Sequence, residues 1–274
     1  MVCNLKKFIR NKKMKDKIVF GNIIGKGGYS TVYHCIVDEQ EVVSKVVNKG
    51  EENIFRNEVN ILEKLNHKYI IKPLKVIDMM LITEFKGNDL FFWLEEGLIE
   101  DEKIKILWQL VEAIKYIHSK NVCHLDLKLE NIIYNGDSIT IIDFGLSHAY
   151  NDEKNFKILQ KRCGTKHYVP PEVYNRKIYD GFEADMWSFG IVTFALFLNF
   201  FPYFYPSFQD PGFLHIMQKS IESLCCYYNK IEKYKETPKF VIKIIGKLLK
   251  PAGKRYTIQN LECLLHYHKI VEKK

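Results

Sequence analysis

The chain contains the stretch His124-Leu125-Asp126-Leu127-Lys128-Leu129-Glu130-Asn131 and, further on, Asp143-Phe144-Gly145. The first stretch brings a carboxylate, an ammonium and an amide together on what we expect to be one loop. The second places another carboxylate after the apolar run Ile139-Thr140-Ile141-Ile142, which predicts a buried strand. Either stretch alone could be polar residues on an ordinary hairpin. Both together and in this order favour a site with a chemical role.

These side chains suit phosphoryl transfer. That reaction needs a carboxylate to position a hydroxyl nucleophile, a cation beside the moving phosphoryl group, and oxygen ligands for Mg²⁺. The arrangement resembles the catalytic loop and the metal-binding Asp-Phe-Gly of the eukaryotic protein kinases. The resemblance implies that Asp126 accepts the proton of the substrate hydroxyl and that Lys128 stands beside the phosphoryl group. It makes Asn131 and Asp143 ligands of Mg²⁺, with Mn²⁺ as an alternative ion.

A glycine-rich turn, Gly25-Lys26-Gly27-Gly28-Tyr29-Ser30-Thr31-Val32, lies between two apolar strands. Glycines let a backbone approach phosphates closely and direct its N–H groups at them. A plain hairpin is the alternative, whereas a dinucleotide-binding loop does not fit because a strand and not a helix follows. The kinase pattern is met at Gly25, Gly27 and Val32, but Ser30 stands in place of its third glycine.

Lys45 is a single cation in the apolar segment Val43-Ser44-Lys45-Val46-Val47. A strand lysine is usually a solvated surface residue. The resemblance instead implies that Lys45 holds the α- and β-phosphates of ATP and is itself held by a helix glutamate. Glu58 is the candidate, because it lies on the helix that the apolar spacing predicts at residues 53–66 and because Glu58-x-x-x-Leu62, followed by Leu65-x-His67, resembles the kinase helix that carries this glutamate. The alternatives are Glu51, Glu52 and Glu63.

The resemblance also implies an apolar nucleotide pocket. The residues that it assigns to the nucleotide are Ile24, Gly25, Gly27, Ser30, Val32, Val43, Lys45, Thr83, Glu84, Lys86, Asp89 and Ile133. Residues 84–86 would offer backbone hydrogen bonds to the base, and Asp89 would contact the ribose. ATP and Mg²⁺ are therefore the expected cofactors.

Two later segments extend the resemblance. The segment Cys163-Gly164-Thr165-Lys166-His167-Tyr168-Val169-Pro170-Pro171-Glu172 resembles the substrate-docking segment of the kinases, with Pro-Pro-Glu in place of their Ala-Pro-Glu. The segment Asp185-Met186-Trp187-Ser188-Phe189-Gly190 looks like the start of their central buried helix. In the family the Glu172 position pairs with an arginine near the end of the domain, and Arg255 matches that arginine. Pro251-Ala252 replaces the Asp-Pro that usually precedes it.

The resemblance covers residues 18–267 of the 274 and implies an α+β, bilobal protein-kinase fold. Such a fold has a small strand-rich N-lobe with one key helix and a larger helical C-lobe. The residues agree, because residues 18–47 are rich in β-branched side chains and broken by glycines, whereas helical patterns dominate from Leu90 onward. We expect a basic tail at 1–17, an N-lobe at 18–86 and a C-lobe at 87–274, with a ligand cleft between the lobes.

The net charge of +8 is concentrated at the start of the chain. Residues 1–17 carry seven cations against Asp16 alone, so this tail holds +6 and the remainder only +2. The body therefore gives no reason to expect nucleic-acid binding. A tail of this charge is either a solvating segment, which is the commoner case, or one that attracts an acidic partner or a membrane surface.

The cysteines and the hydrophobic segments favour an intracellular location. Seven cysteines without a Cys-x-x-Cys pair fit free thiols in a reducing compartment. Residues 1–17 lack the apolar core of a secretory signal. The most hydrophobic stretch, at residues 187–201, is short for a membrane span and indicates a helix that is buried all round. We expect a cytoplasmic monomer.

The function implied is that of an ATP- and Mg²⁺-dependent kinase that phosphorylates serine or threonine in proteins. Lys128, two residues after the catalytic Asp126, is the serine/threonine form of the loop, and the catalytic core looks most like the calcium/calmodulin-dependent group. A pseudokinase that keeps the fold without the chemistry is the alternative. A small-molecule kinase fits less well, because residues 163–172 resemble a ledge for a peptide substrate.

The sequence also suggests how the enzyme is regulated. Many kinases carry an arginine before the catalytic aspartate, and it pairs with a phosphate on the activation loop. Leu125 stands at that position, and residues 151–164 contain no Ser, Thr or Tyr. We therefore expect activity without activation-loop phosphorylation. The loop would be held by packing and by its own charges, which are Asp152, Glu153, Lys154, Lys157, Lys161 and Arg162.

Overall fold

The computed structural model describes residues 18–37, 39–150, 158–161 and 163–271, without the side chains of 158 and 267–271. The basic tail at 1–17 and five of the six activation-loop charges named above (all but Lys161) lie outside the described residues. Contacts group the chain into two compact units. The first runs to residue 55 and includes 72–85, and the second comprises 56–71 and the chain from 86 onward. The lobe limit expected at 86/87 differs in that residues 56–71 belong to the larger unit.

The first unit is a five-stranded antiparallel sheet in the order β1-β2-β3-β5-β4. Its strands are β1 (Ile18–Lys26), β2 (Ser30–Val37), β3 (Gln40–Val47), β4 (Pro73–Ile77) and β5 (Met80–Glu84). The prediction of strands and turns over residues 18–47 is confirmed. The strands are rich in β-branched residues, and the glycine-rich turn connects the first two.

The strand pairing in this sheet shows which residues lie on the same face. Val32 pairs with Lys45, and Val43 pairs with Thr83. Directly opposed residues and residues two apart share a face. One face therefore carries four of the residues assigned to the nucleotide, which are Val32, Val43, Lys45 and Thr83. The opposite face holds a buried cluster of Cys35, Val42 and Ile82.

Helix α1 (Glu52–Leu62) carries Glu58, which is buried. The predicted helix at 53–66 is wrong at its carboxyl end, because the helix stops four residues earlier. The Lys64 N–H donates to the Ile61 carbonyl at 3.0 Å, and the Leu65 N–H donates to the Leu62 carbonyl at 3.2 Å. These tighter bonds close the last turn, while Leu65 still packs in the core as its place in the pattern predicted.

The second unit contains a small three-stranded sheet and the remaining helices. Its sheet has the order β6-β8-β9, formed by β6 (Asn88–Asp89), β8 (Ile132–Tyr134) and β9 (Ile139–Ile141), and β7 (Val122–Cys123) pairs with β10 (His148–Ala149). A further pair consists of β11 (Ile158–Leu159) and β12 (Tyr179–Asp180). The longer helices are α2 (Leu90–Glu96), α3 (Glu100–Ser119), α5 (Gly181–Leu198), α6 (Pro211–Gln218), α7 (Ile221–Tyr227), α9 (Lys239–Leu248) and α10 (Ile258–Val271), with the short α4 (Pro171–Tyr174) and α8 (Ile231–Glu236).

Helix α5 is the core of this unit. Its apolar residues cover the whole circumference, and the prediction of a helix buried all round is confirmed, although the helix begins before residue 187 and ends at Leu198. Asp180 caps its start by accepting from the Phe182 N–H at 2.8 Å, and Asn199 ends it in the left-handed conformation with φ of 60°. By length and composition alone α5 could cross a membrane, but 89% of its residues are buried in the protein, as in core helices.

Candidate active site

A buried aspartate fixes the backbone of the loop that follows β7. The carboxylate of Asp185, near the start of α5, accepts hydrogen bonds from the N–H groups of His124 and Leu125, both at 2.7 Å. The His118 ring lies 3.0 Å from the same carboxylate. Leu125 has a positive φ of 65°, a conformation that a branched residue adopts only where the surroundings impose it. Asp185 thus sets the direction in which the chain enters Asp126.

His124 ties this loop to the strand that precedes Asp143. Its Nε2 lies 3.0 Å from the Ile142 carbonyl, and its Nδ1 lies 3.3 Å from the Asp126 backbone nitrogen. Because a carbonyl only accepts and an N–H only donates, the neutral ring with its proton on Nε2 satisfies both contacts. The ring also packs 4.7 Å from the ring of Phe144.

The Asp126 carboxylate is surrounded by donors. The Lys128 Nζ lies 2.8 Å from Oδ2, and the Thr165 hydroxyl donates to Oδ1 at 2.8 Å. The Lys128 Nζ also donates to the Thr165 hydroxyl at 2.9 Å, which closes a triangle. The Asn131 Nδ2 donates to the Asp126 carbonyl at 2.9 Å and to Oδ2 at 3.2 Å. A carboxylate held in this way keeps one orientation towards a reacting hydroxyl.

The sequence pattern indicates no separate role for Thr165, which lies in the segment that resembles the substrate-docking segment of the kinases. The residue before it, Gly164, has φ of 94°. A Cβ at Gly164 would lie 2.7 Å from the Val169 side chain and 2.8 Å from the Leu125 carbonyl. Only glycine allows the docking segment to approach the catalytic loop this closely, and the Gly-Thr pair was the signal that could have identified the contact.

Asn131 and Asp143 are brought together by the hairpin of β8 and β9. The Ile142 N–H donates to the Asn131 carbonyl at 3.0 Å. Asp143, the next residue, therefore lies on a chain segment that is hydrogen-bonded to the segment of Asn131. The Asn131 Nδ2 faces Asp126, which leaves its Oδ1 as the atom for another partner. A carboxylate and an amide oxygen suit Mg²⁺, which commonly takes one or two protein ligands and completes its shell with water and phosphate oxygens. Among the described residues no group of three or more His, Cys, Asp or Glu forms a ready-made metal cage. The residues fit Mg²⁺, and their role as its ligands stays a prediction.

The nucleotide residues are divided between the two units. In the first unit, the Gly27 N–H donates to the Ser30 carbonyl at 2.9 Å and closes the glycine-rich turn. In the second, Asp89 pairs with Ile133 across β6 and β8. Asp89 also caps α2 by accepting from the Phe92 N–H at 2.9 Å, a structural role that was not foreseen. The nucleotide contacts expected of all the assigned residues, and the pairing of Lys45 with Glu58, stay predictions.

An apolar cluster surrounds Leu125, where many kinases have arginine. Its buried members are Cys123, Leu125, Cys163, Val169, Val173, Tyr179 and Ala184. Burial raises the pKa of the Cys123 and Cys163 thiols, so both stay neutral at physiological pH. The Tyr179 hydroxyl donates to the Lys161 carbonyl at 2.7 Å, and β11 pairs with β12. The described part of the activation segment, which runs from Asp143 to Glu172, is therefore held by packing and hydrogen bonds.

A second anchor holds the start of the activation segment. The Asn57 Nδ2, one residue before Glu58 on α1, donates to the carbonyls of Gly145 at 3.1 Å and Ser147 at 2.9 Å. This contact joins the turn of α1 that carries Glu58 to the residues just after Asp143-Phe144. The sequence contains no local signal for it.

The predicted pair of Glu172 and Arg255 is confirmed. The Arg255 Nη1 lies 2.8 Å from the Glu172 Oε1, and the guanidinium is fully buried. Nη1 also donates to the Glu183 carbonyl at 2.7 Å, and the guanidinium lies over the Trp187 ring at 5.0 Å. The unusual Pro251-Ala252 does not disrupt this pairing, because the Glu183 carboxylate accepts from the Gly253 N–H at 2.9 Å and secures the loop.

Comparisons with known proteins agree with this geometry. The family model described as protein kinase domain matches residues 18–266. CBL-interacting protein kinase 10 of Oryza sativa subsp. japonica is 33% identical over 214 residues, which are 73% of this chain and 46% of the rice protein. CBL-interacting serine/threonine-protein kinase 5 of Arabidopsis thaliana is 34% identical over 220 residues, or 74% of this chain and 48% of that protein. A probable myosin light chain kinase of Dictyostelium discoideum is 33% identical over 214 residues, or 71% and 54%.

The chain spans about half the length of the curated relatives it matches. The family match itself covers nearly all of the chain, and the structure divides into a strand-rich unit and a larger helical unit. The chain therefore belongs to the protein kinase family and has the bilobal fold of a eukaryotic-type serine/threonine kinase catalytic domain.

Proposed function

We propose that this chain transfers the γ-phosphoryl group of ATP to serine or threonine hydroxyls of protein substrates. The observation that carries the proposal is the Asp126 carboxylate, oriented by Lys128, Thr165 and Asn131. Asp126 accepts the proton as the substrate oxygen forms its bond to the γ-phosphorus, and the bond from that phosphorus to the bridging oxygen breaks to release ADP. The Lys128 ammonium stabilises the charge on the transferring group. Mg²⁺, held by Asn131 and Asp143, would neutralise the phosphate charge.

Preference for serine and threonine is supported by Lys128 and by its contact with Thr165 of the docking segment. The Arabidopsis relative is named a serine/threonine-protein kinase. A protein substrate is supported by the buried Glu172–Arg255 pair, which stabilises the end of the docking segment. These features favour a peptide over a small-molecule substrate.

We further propose that activity does not require a phosphate on the activation loop. Leu125 cannot pair with a phosphate and is buried among apolar side chains. The segment from 151 to 164 offers no phosphorylatable residue, and the stretch that precedes it is held at Gly145 and Ser147 by two hydrogen bonds from Asn57. Abundance, location or a partner would then govern the enzyme.

A cytoplasmic location is proposed on the cysteines, because the six that the structure describes are all free thiols. An acidic partner for residues 1–17 and a monomeric state are also proposals. Deleting residues 2–17 should leave peptide phosphorylation unchanged if the tail is only a solvating segment or only attracts an acidic partner.

The decisive experiment is thiophosphate transfer from ATPγS to a peptide library by purified protein, with Asp126→Asn as the comparison. This substitution keeps the size of the side chain and removes the proton acceptor, so turnover should fall by ~10²–10⁴ while ATP binding survives. A wild-type protein that binds Mg·ATP but transfers nothing would support the pseudokinase alternative.

The proposal on regulation is tested by treating the purified protein with phosphatase, which should leave its peptide kinase activity intact. A loss of activity that phosphorylation between Asp143 and Glu172 restores would refute independence from phosphorylation.

A further inference from the structure

Asn48, just after β3, reaches the glycine-rich turn with its side chain and its backbone. Its Nδ2 donates to the Gly28 carbonyl at 2.9 Å and to the Gly27 carbonyl at 3.3 Å. Its backbone N–H donates to the Tyr29 carbonyl at 2.8 Å. Three consecutive carbonyl groups of the turn are thus directed at one residue.

The geometry of the peptide group gives this contact a consequence. In a planar trans peptide the C=O of one residue and the N–H of the next point in opposite directions. With the carbonyls of Gly27, Gly28 and Tyr29 turned towards Asn48, the N–H groups of residues 28, 29 and 30 face away from it. The N–H groups of Gly28 and Tyr29 donate to no residue that the structure describes. Successive N–H groups on one side of a turn form an anion-binding arrangement.

The turn depends on Asn48 for this orientation. Its internal bond, from the Gly27 N–H to the Ser30 carbonyl, closes the hairpin but leaves the Gly27–Gly28 and Gly28–Tyr29 peptide groups free to rotate, because glycine has no Cβ to restrict them. The Asn48 carboxamide has two N–H hydrogens and meets two carbonyl acceptors. An aspartate at this position would present only acceptors to those carbonyls.

We propose that Asn48 is a positioning residue for the nucleotide. It holds the peptide groups of the turn so that the N–H groups of Gly28 and Tyr29 face the phosphates of ATP. The proposal rests on the proposed function only in taking ATP as the ligand. Asn48 lies outside the residues that the sequence pattern assigned to the nucleotide.

The test compares wild-type protein with Asn48→Ala and Asn48→Asp in the full chain, by calorimetric titration with Mg·ATP and separately with adenosine. Asn48→Ala should raise the Kd for Mg·ATP about tenfold, equivalent to ~1.4 kcal/mol, and leave the Kd for adenosine unchanged, because adenosine has no phosphate. Asn48→Asp should weaken Mg·ATP binding further, since it loses both N–H hydrogens and presents carboxylate oxygens to the carbonyls that they held. In the kinase assay the KM for ATP should rise with little change in kcat.

The matched control is Asn60→Ala, at an exposed position of α1. It should change neither affinity, and melting temperatures show whether each variant is folded. A Kd for Mg·ATP within twofold of wild type in Asn48→Ala, or an equal loss for adenosine, would overturn the assignment. If wild-type protein binds Mg·ATP without transferring phosphate, the proposed function fails and the binding experiment still decides the role of Asn48.

Discussion

Replacing Thr165 by valine tests whether the docking segment orients the catalytic carboxylate. Valine keeps the branched shape of threonine and replaces the hydroxyl by a methyl group. The change removes the 2.8 Å bond to the Asp126 Oδ1 and the 2.9 Å bond from the Lys128 Nζ. The Asp126 Oδ2 keeps its contacts with Lys128 and Asn131, at 2.8 and 3.2 Å. Only Oδ1 loses its donor, so the carboxylate should stay in place but rotate more freely.

The expected size of the effect on kcat follows from the charge of the Asp126 carboxylate. A hydrogen bond to a charged group contributes roughly 1.5–3 kcal/mol, and water can replace part of it at a site that substrate must enter. We expect the loss to appear mainly in the transition state, where the orientation of Asp126 matters most. A loss of about 1.4–2.7 kcal/mol there corresponds to a fall in kcat of about 10- to 100-fold. This is smaller than the effect of removing the proton acceptor itself.

The assay is steady-state peptide phosphorylation with ATP and peptide varied separately, together with a thermal melt. Thr165→Val should lower kcat and leave the KM for ATP near its wild-type value. The matched control, Thr165→Ser, keeps the hydroxyl and should retain most of the activity. A wild-type kcat in a folded Thr165→Val variant would refute the reasoning, and so would an equal loss in Thr165→Ser.

Three further predictions follow from other contacts. Asn57→Ala should lower kcat about 5- to 10-fold, because it frees the start of the activation segment from two neutral hydrogen bonds of about 1 kcal/mol each that water partly replaces. Amide exchange at residues 145–147 should become faster, and unchanged exchange would contradict the role of Asn57 as an anchor. Ser188→Ala should lower the free energy of unfolding in urea by about 1 kcal/mol, because it removes a buried hydroxyl that donates to the Tyr168 carbonyl at 3.0 Å; an unchanged free energy of unfolding would contradict the argument. Desolvation lowers the pKa of His67 and of His148 in the folded protein. The unfolded chain therefore binds more protons than the folded protein below pH ~6.5, and the free energy of unfolding should fall as the pH drops from 7.5 to 5.5. A melting temperature that rises as the pH drops over this range would contradict the argument.

Local order along the chain is what the sequence reveals most directly. Strand patterns over residues 18–47, the buried strand before Asp143 and the all-apolar helix α5 are properties of neighbouring residues, because side-chain periodicity reports which faces are buried. The motif around Asp126 is equally local, since its carboxylate, ammonium and amide lie on one short loop. These features were sufficient to indicate the family and the chemistry.

The contacts that orient the site depend on packing between segments distant in the chain. Asp185 holds a loop some sixty residues before it, Thr165 meets Asp126 across 39 residues, and Asn57 reaches Gly145 across 88. A hydroxyl or carboxamide carries no local mark of its partner, because such hydrogen bonds form only when the fold brings the two segments together. The end of α1 at Leu62 has the same origin, since the apolar pattern continues to Leu65 while the backbone has already turned. Residue type and spacing thus determined which chemical groups the chain has, and tertiary packing decided how each is held.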